Sequence, residues 1–401
     1  MRRRCGCLRR TEGECSMQTV LVSGAGVAGV ALAAQLRRHG VAVTVVERAP
    51  GLRPGGHAVD VRGVALDVLD RIGVLAEARR MRTRTRGMTM LDGDGEELWS
   101  TTEFALSSGP LGGGTDDVEL LREDLVRLLY GRARDGVEYV FGDRVTALDQ
   151  DDAAVHVTFE RAAPRSFDVV VGADGLHSGV RRLAFGAEEE FLSFLGAQVA
   201  VYTAENFLGL EDWQVWCGED DTTFCLYPVR GNSELRVTVG FAVPGTSGRD
   251  GTDGTSGTTV PGDRDTARQK ALVAERMGRL RWETPALLRA MDVAPDFYCD
   301  AMAQVHMDRW SCGRVTLLGD AGYCPSPLSG QGTSLALAGA HVLADEIAAV
   351  DDGDPARALA SYEERMRPFA EINQALATAH SGRGMPDGSA MDEAKNALSL
   401  D

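Results

Sequence analysis

One stretch near the start of the chain restricts the fold more than any other: strand, glycine turn, helix, strand, acid, within about thirty residues. Thr19-Val-Leu-Val-Ser23 is a short continuous apolar run, as in a parallel strand covered on both faces. Gly24-Ala-Gly-Val-Ala-Gly29 follows and opens an apolar-periodic segment through Leu36, and Arg37, Arg38, His39 and Gly40 read as its C-terminus. Val41 to Val46 is a second buried strand, closed by Glu47. This is a complete βαβ unit, and it commits the chain to an α/β fold with a Rossmann-like, largely parallel sheet. Gly24, Gly26 and Gly29 let backbone lie against a pyrophosphate, while the helix starting at Val27 and Ala28 aims its free N–H groups at it. Glu47 is placed to accept hydrogen bonds from ribose hydroxyls and repels a 2′-phosphate, which selects the adenosine half of NAD or FAD over NADP.

Composition excludes several other classes. Lys+Arg 42 against Asp+Glu 59 leaves a formal charge of −17, which argues against nucleic acid or an anionic membrane as partner. No apolar run reaches the roughly 18 residues of a bilayer span. The eight cysteines are scattered without a CxxC pair, so structural zinc is not expected and reduced thiols in the cytoplasm are. The first sixteen residues are basic and aperiodic, and no apolar stretch follows as in a secretory signal.

Further along, Arg122 to Arg134 reads as a helix and Phe167 to Val171 as a strand ending in Gly172-Ala-Asp-Gly175. From about Leu195 to Val243 longer alternating runs such as Leu235-Arg-Val-Thr-Val-Gly-Phe241 predict an antiparallel sheet in a second lobe. The tract from Pro244 to Asp263, rich in Gly, Thr, Ser and Asp, predicts a mobile loop. Helices are expected near Arg264–Met277, Pro285–Met291, Gln331–Val350 and Pro355–Ala379, with a strand at Arg314–Leu318. That strand ends in Gly319-Asp320, and a Pro/Gly/Ser loop leads into the next helix. A carboxylate followed by a glycine-rich helix start suits a second contact with a long dinucleotide: Asp320 to a ribityl chain and the helix dipole to a ring carbonyl.

Three motifs in order, GAGVAG with Glu47, VVGADGLHSGVRR (Val170–Arg182) and LLGDAGYCPSPLSGQG (Leu317–Gly332), make the chain from Met17 to Ala379 resemble the single-component aromatic hydroxylases of the p-hydroxybenzoate hydroxylase type. The tetracycline-inactivating flavin monooxygenases are near relatives of that type. The resemblance implies FAD as the cofactor, with NADPH or NADH as transient reductant. The first motif, with Glu47 and Arg48, would hold the ADP half, near Val145. Arg122 would reach FAD phosphate or ribityl oxygens, and Asp174 would support both FAD and the nicotinamide cofactor. Asp320 would hold the ribityl chain, and the loop through Pro327, Gly330, Gly332 and Thr333 would line the isoalloxazine. Gly322 and Tyr323 stand where the family commonly has Ala-His, so a role of that histidine is lost or altered.

The resemblance implies an FAD-binding domain over 17–78, 115–185 and 296–352, and a substrate domain over 79–114 and 186–295 carrying a mobile loop at 244–263. A disordered extension is expected at 1–16, a helix at 353–380 and a frayed tail at 381–401. Asp60 and Arg62 are candidates for the isoalloxazine edge; His57 is either a flavin contact or a structural turn residue. Trp216, Phe224, Tyr227 and Phe241 are candidate pocket residues, with core packing as the competing explanation. The implied activity is a monooxygenase that inserts one atom of O2 into an aromatic or polycyclic small molecule through a C4a-hydroperoxyflavin, working as a monomer or homodimer. No side chain declares itself a catalytic base. A non-redox cyclase or isomerase with structural FAD, a flavin reductase or dehydrogenase, and an inactive FAD-sequestering protein share the same motifs.

Overall fold

The strand Thr19–Ser23 lies inside a six-stranded sheet because each of its neighbours is as apolar as itself. Val20, Leu21 and Val22 face Val169, Val170 and Val171 on one side and Val43, Thr44 and Val45 on the other, all in parallel register. The strand order is Ser311–Cys312, Val315–Leu317, Val169–Gly172, Thr19–Ser23, Ala42–Glu47, Glu138–Phe141, with only the Ser311–Cys312 edge antiparallel. The computed structural model describes residues 19–106, 109–111, 116–243, 265–350, 354–379 and 388–400. The extension expected at 1–16 and the loop expected at 244–263 lie outside these residues.

The helix Val27–Arg38 is buried from Ala28 through Leu36 because a second helix, Gly332–Ala349, packs against it. Small residues on both allow close approach, and the expected Ala-rich segment from 331 to 350 is this second helix. The helix Pro355–Ala379 continues the layer. Tyr323, at the position where the family commonly has histidine, is buried under it. Its hydroxyl meets that of Tyr362 at 2.9 Å, and Tyr362 donates to the Leu317 carbonyl at 3.0 Å, so Tyr323 belongs to the core.

A seven-stranded sheet forms the second layer system, in the order Tyr298–Val305, Leu192–Glu205, Glu234–Ala242, Thr222–Val229, Trp213–Glu219, Gly87–Leu91, Glu97–Thr101. It is antiparallel except that Trp213–Glu219 runs parallel to Gly87–Leu91, a long-range pairing that alternation within 195–243 does not encode. Helices Thr266–Met277 and Thr284–Val293 cover one face. Tyr298–Val305, inside the segment from 296 expected in the FAD-binding domain, pairs with Leu192–Glu205 as the edge of this sheet. Within the tail expected to fray over 381–401, the described residues form the helix Gly388–Lys395. Ala394, Leu398 and Leu400 are buried, and Asn373 Nδ2 donates to the Ala394 carbonyl at 3.2 Å, so apolar docking anchors the segment. Among the described residues no helix is long and apolar enough to cross a membrane, and no group of three or more His, Cys, Asp or Glu is placed to hold a metal.

Candidate functional site

The glycines of the first turn do different jobs. Gly24 has φ +110°, and a Cβ there would lie 2.4 Å from the Ala173 carbonyl oxygen, so it brings two strand ends together. A Cβ on Gly29 would lie 2.0 Å from the Gly24 oxygen, so it lets the helix sit on the turn. Around Gly26 there is nothing within 4 Å, and the helix that it opens has no side-chain cap. The protein is therefore packed tightly on both sides of a gap at an uncapped helix N-terminus. That is the shape and polarity required by a pyrophosphate.

Glu47 is buried beside this gap. One carboxylate oxygen accepts from Ala25 N–H and the other from Ala49 N–H, each at 2.9 Å. The backbone around Phe141–Asp143 rests on it, with Asp143 N–H donating to the Glu47 carbonyl at 3.1 Å, and this brings the start of the Val145 strand to the same end. Val145 itself is core, whereas Arg48 is exposed. Arg122 donates to the Gly55 carbonyl at 3.0 Å, and a Cβ on Gly56 would lie 2.6 Å from its guanidinium, so the helix it opens and the Gly55 loop form one wall of a cleft. Burial lowers the guanidinium below its ordinary range; Arg53 adds to this and Glu123 opposes it. Asp320 opens onto that cleft yet is enclosed by protein, which raises its carboxyl above the usual range, with Asp300 adding to the rise. His57 shares this situation: enclosure first and Arg122 second lower it to about 4, which makes it neutral at physiological pH.

At the far end, Arg62 Nη2 bonds Asp60 Oδ2 at 2.8 Å and Arg62 N–H donates to Ser334 Oγ at 3.1 Å, so both sequence candidates abut the helix Gly332–Ala349. Burial pushes the Asp60 carboxyl up; Arg62 opposes this, and Glu119 and Asp117 reinforce it. Arg62 Nε and Gln331 Oε1 are buried without a hydrogen-bond partner in the protein. Ser326, in the loop before this helix, holds φ +74°, a strained conformation for a residue with a side chain. A Cβ on Gly332 would come no closer than 3.8 Å to Asp320 Oδ1, so the helix start is open on the side of Asp320. Pro327 is exposed, Gly330 adopts φ +64°, and Thr333 is half-buried. Orphaned polar atoms, a second uncapped helix start and an enclosed carboxylate all fit a long polar ligand such as FAD.

In the second motif Asp174 accepts from the Ser178 hydroxyl at 2.5 Å and from Gly179 and Val180 N–H at 2.8 and 3.2 Å. It so steadies the start of the helix Gly179–Ala184, which Ser178 caps by accepting from Arg181 N–H.

Cross-strand partners share a face of the sheet, which sorts the pocket candidates. Tyr227, Arg236 and Thr203 form one row, and Tyr227 Oη accepts from Ala58 N–H at 2.8 Å, so this face looks toward the cofactor cleft. The next row runs Trp216, Cys225, Thr238, Val201, Tyr298. Trp216 and Tyr227 are thus on the expected side. Phe224 and Phe241 are not: Phe224 stacks on Trp282 with ring centroids 5.9 Å apart, and Arg276 lies over the Phe241 ring at 6.0 Å. Both belong to the core beneath the helices, a consequence of strand parity. Sequence reasoning missed Tyr298 and Arg236. Arg236 is buried, donating from Nε to the Gly56 carbonyl at 3.1 Å and from Nη2 to Glu123 Oε1 at 3.1 Å. Only the period-2 pattern of its strand could have flagged it, as a charge on an inward position.

The family model described as an FAD binding domain matches residues 17–377. The chain is 50% identical over 370 residues to an uncharacterised protein of Mycobacterium tuberculosis, covering 92% of this chain and 95% of that one. It is 35% identical over 357 residues to a flavin-dependent monooxygenase of Legionella longbeachae, covering 88% and 86%. Among solved structures, the tetracycline destructase Tet(51) superposes with a TM-score of 0.81 at 32% identity, covering 95% of each chain. With a cleft built for a long dinucleotide and these relatives, the chain belongs to the FAD-binding family of flavin-dependent monooxygenases.

Proposed function

We propose that this FAD-dependent monooxygenase consumes NADPH or NADH and hydroxylates an aromatic or polycyclic small molecule bound on the seven-stranded sheet. The observation that carries the reading is that one short strand touches both surfaces: Ala58 N–H donates to Tyr227 Oη on the seven-stranded sheet, and Arg62 N–H, just past its end, donates to Ser334 Oγ on the helix that starts at Gly332. Similarity to a tetracycline destructase supports a planar, fused-ring substrate.

Bound FAD would accept hydride from the reductant and activate O2. The chain's own residues do the remainder. Gly26 leaves room for the pyrophosphate and the Val27 helix start donates to it; Glu47 accepts from ribose hydroxyls. Asp320 accepts from the ribityl chain, and the Gly332 helix start donates toward the ring. Arg62 and Gln331 offer a buried donor and acceptor at the ring edge. Trp216 and the apolar residues around Tyr227 exclude water from the sheet side, which protects oxygen transfer from loss as H2O2. Five described cysteines are free thiols, which supports a reducing, cytoplasmic setting.

Asp320→Ala should lower FAD affinity about 10- to 150-fold, the worth of a charge-assisted hydrogen bond. The same change should leave the FAD-free protein at least as stable, because an enclosed carboxylate is removed. Fluorescence titration with FAD and thermal unfolding of the FAD-free form check the two halves. The activity itself is tested by NAD(P)H oxidation in a panel of phenols and tetracyclines: the expected result is ligand-stimulated consumption with O2 uptake. Bound FAD with no such stimulation by any ligand would point to a non-redox or reductase role.

A further inference from the structure

Tyr298 is an aromatic side chain that is 43% exposed, and it is held from behind by a polar chain. Its hydroxyl donates to Asp300 Oδ2 at 2.7 Å, Asp300 Oδ1 bonds His177 Nε2 at 2.9 Å, and His177 Nδ1 bonds Glu188 Oε1 at 3.0 Å. Glu188 also faces the fully buried Arg181 at 3.5 Å, and Arg181 donates to the Leu176 and Ala321 carbonyls at 2.6 and 2.8 Å. The chain therefore runs from the edge strand of the seven-stranded sheet to the loop after Val169–Gly172, and on to the segment that carries Asp320. Freezing an exposed ring costs conformational entropy, so three consecutive hydrogen bonds spent on one need a cause. A plain surface tyrosine does not account for them, because the ring stands on the sheet face shared with Val201, Thr238 and Trp216; desolvation and Asp300 raise its phenol well above the ordinary value, and Arg53 opposes the rise. Tyr298 thus stands on the sheet face whose Tyr227 and Arg236 bond Ala58 and Gly56, beside the loop that Arg122 holds at Gly55, and so it faces the cofactor cleft.

We propose that the Tyr298 ring packs against the bound dinucleotide in this cleft, and that Asp300 and His177 are positioning residues that hold the ring there. The inference rests on the cleft being the FAD site. The positioning is strongest while His177 is charged. Two carboxylates hold its imidazole as a cation and raise it to about 9 against the cost of burial. A basic group raised above its ordinary value contributes fully below about pH 6.5, and the contribution is lost as pH rises through about 9. The groups facing it are Glu188 and Asp300 directly, Tyr298 through Asp300, and Arg181 through Glu188.

The test titrates full-length, FAD-stripped protein with FAD, with thermal unfolding of each FAD-free variant as the fold control. Tyr298→Leu should weaken FAD binding about tenfold, and Tyr298→Phe, which keeps the ring, about threefold or less. Wild-type affinity should fall between about pH 7.5 and 9.5, whereas His177→Gln should be weaker at the lower pH and flat across the range. Tyr298→Leu binding FAD like wild type, or His177→Gln keeping the wild-type pH dependence, would overturn the proposal. If Tyr298→Leu does not fold, the Tyr298→Phe and His177→Gln arms still decide. Failure of wild-type protein itself to bind FAD would instead refute the reading of the cleft.

Discussion

Gly26→Val should give a fully stable protein that barely holds FAD, while Gly29→Ala should be markedly destabilised as a fold. The substitutions lie three residues apart in one motif, yet the structure separates them. Around Gly26 a new Cβ meets no protein atom within 4 Å, and its extended backbone tolerates a side chain, so the FAD-free protein should unfold at the wild-type temperature. The side chain would occupy the space at the helix N-terminus, and FAD affinity should drop about 100-fold, or about 2.8 kcal/mol. At Gly29 the Cβ would sit 2.0 Å from the Gly24 oxygen, and backbone must move. The cost should reach about 3 kcal/mol. Paired melting curves with and without FAD distinguish the two. Equal losses of fold in both variants would mean that Gly26 is a packing glycine like its neighbour.

The second large effect is expected at Arg236, which no motif contains. Its guanidinium joins the Gly56 carbonyl, Glu123 and Thr203, and so ties the substrate-side sheet to the loop carrying Gly55 and His57. Glu123 in turn accepts from Gly55 N–H at 3.0 Å and pairs with Arg127 and Arg230. Arg236→Met removes one of the three guanidinium partners of the buried Glu123, takes the donor from the Gly56 carbonyl, and should destabilise the protein by about 1–3 kcal/mol. With Glu123→Gln added, the double variant should lose less than the two single losses together, because both remove the same contact. Chemical unfolding of the single and double variants measures the coupling; strictly additive losses would show that the two side chains do not act together.

The βαβ unit was legible because its signals are local: a buried strand reads as a continuous apolar run, and the helix ends carry their own punctuation. The helix Pro355–Ala379 was legible for the same reason. What escaped depended on partners far away in the chain. Phe224 and Phe241 look like pocket aromatics until parity and Trp282 place them on the other face. Tyr298–Val305 falls in the 296–352 segment expected in the FAD-binding domain, but its hydrogen bonds go to Leu192–Glu205. The helix Gly388–Lys395 has weak intrinsic punctuation and is fixed by docking, with the Lys395 carbonyl against Gly63 and its ammonium 3.3 Å from Asp117.

In the proposed reaction, oxygen from O2 enters a small molecule bound on the seven-stranded sheet beside the cofactor cleft. The most direct measurement is a turnover under 18O2 with NADPH or NADH and a ligand that stimulates their oxidation, followed by mass analysis of the product. One labelled oxygen atom per product, with none incorporated from labelled water, is the expected result. A product without the label, or consumption of O2 that ends entirely as H2O2 with every such ligand, would contradict it.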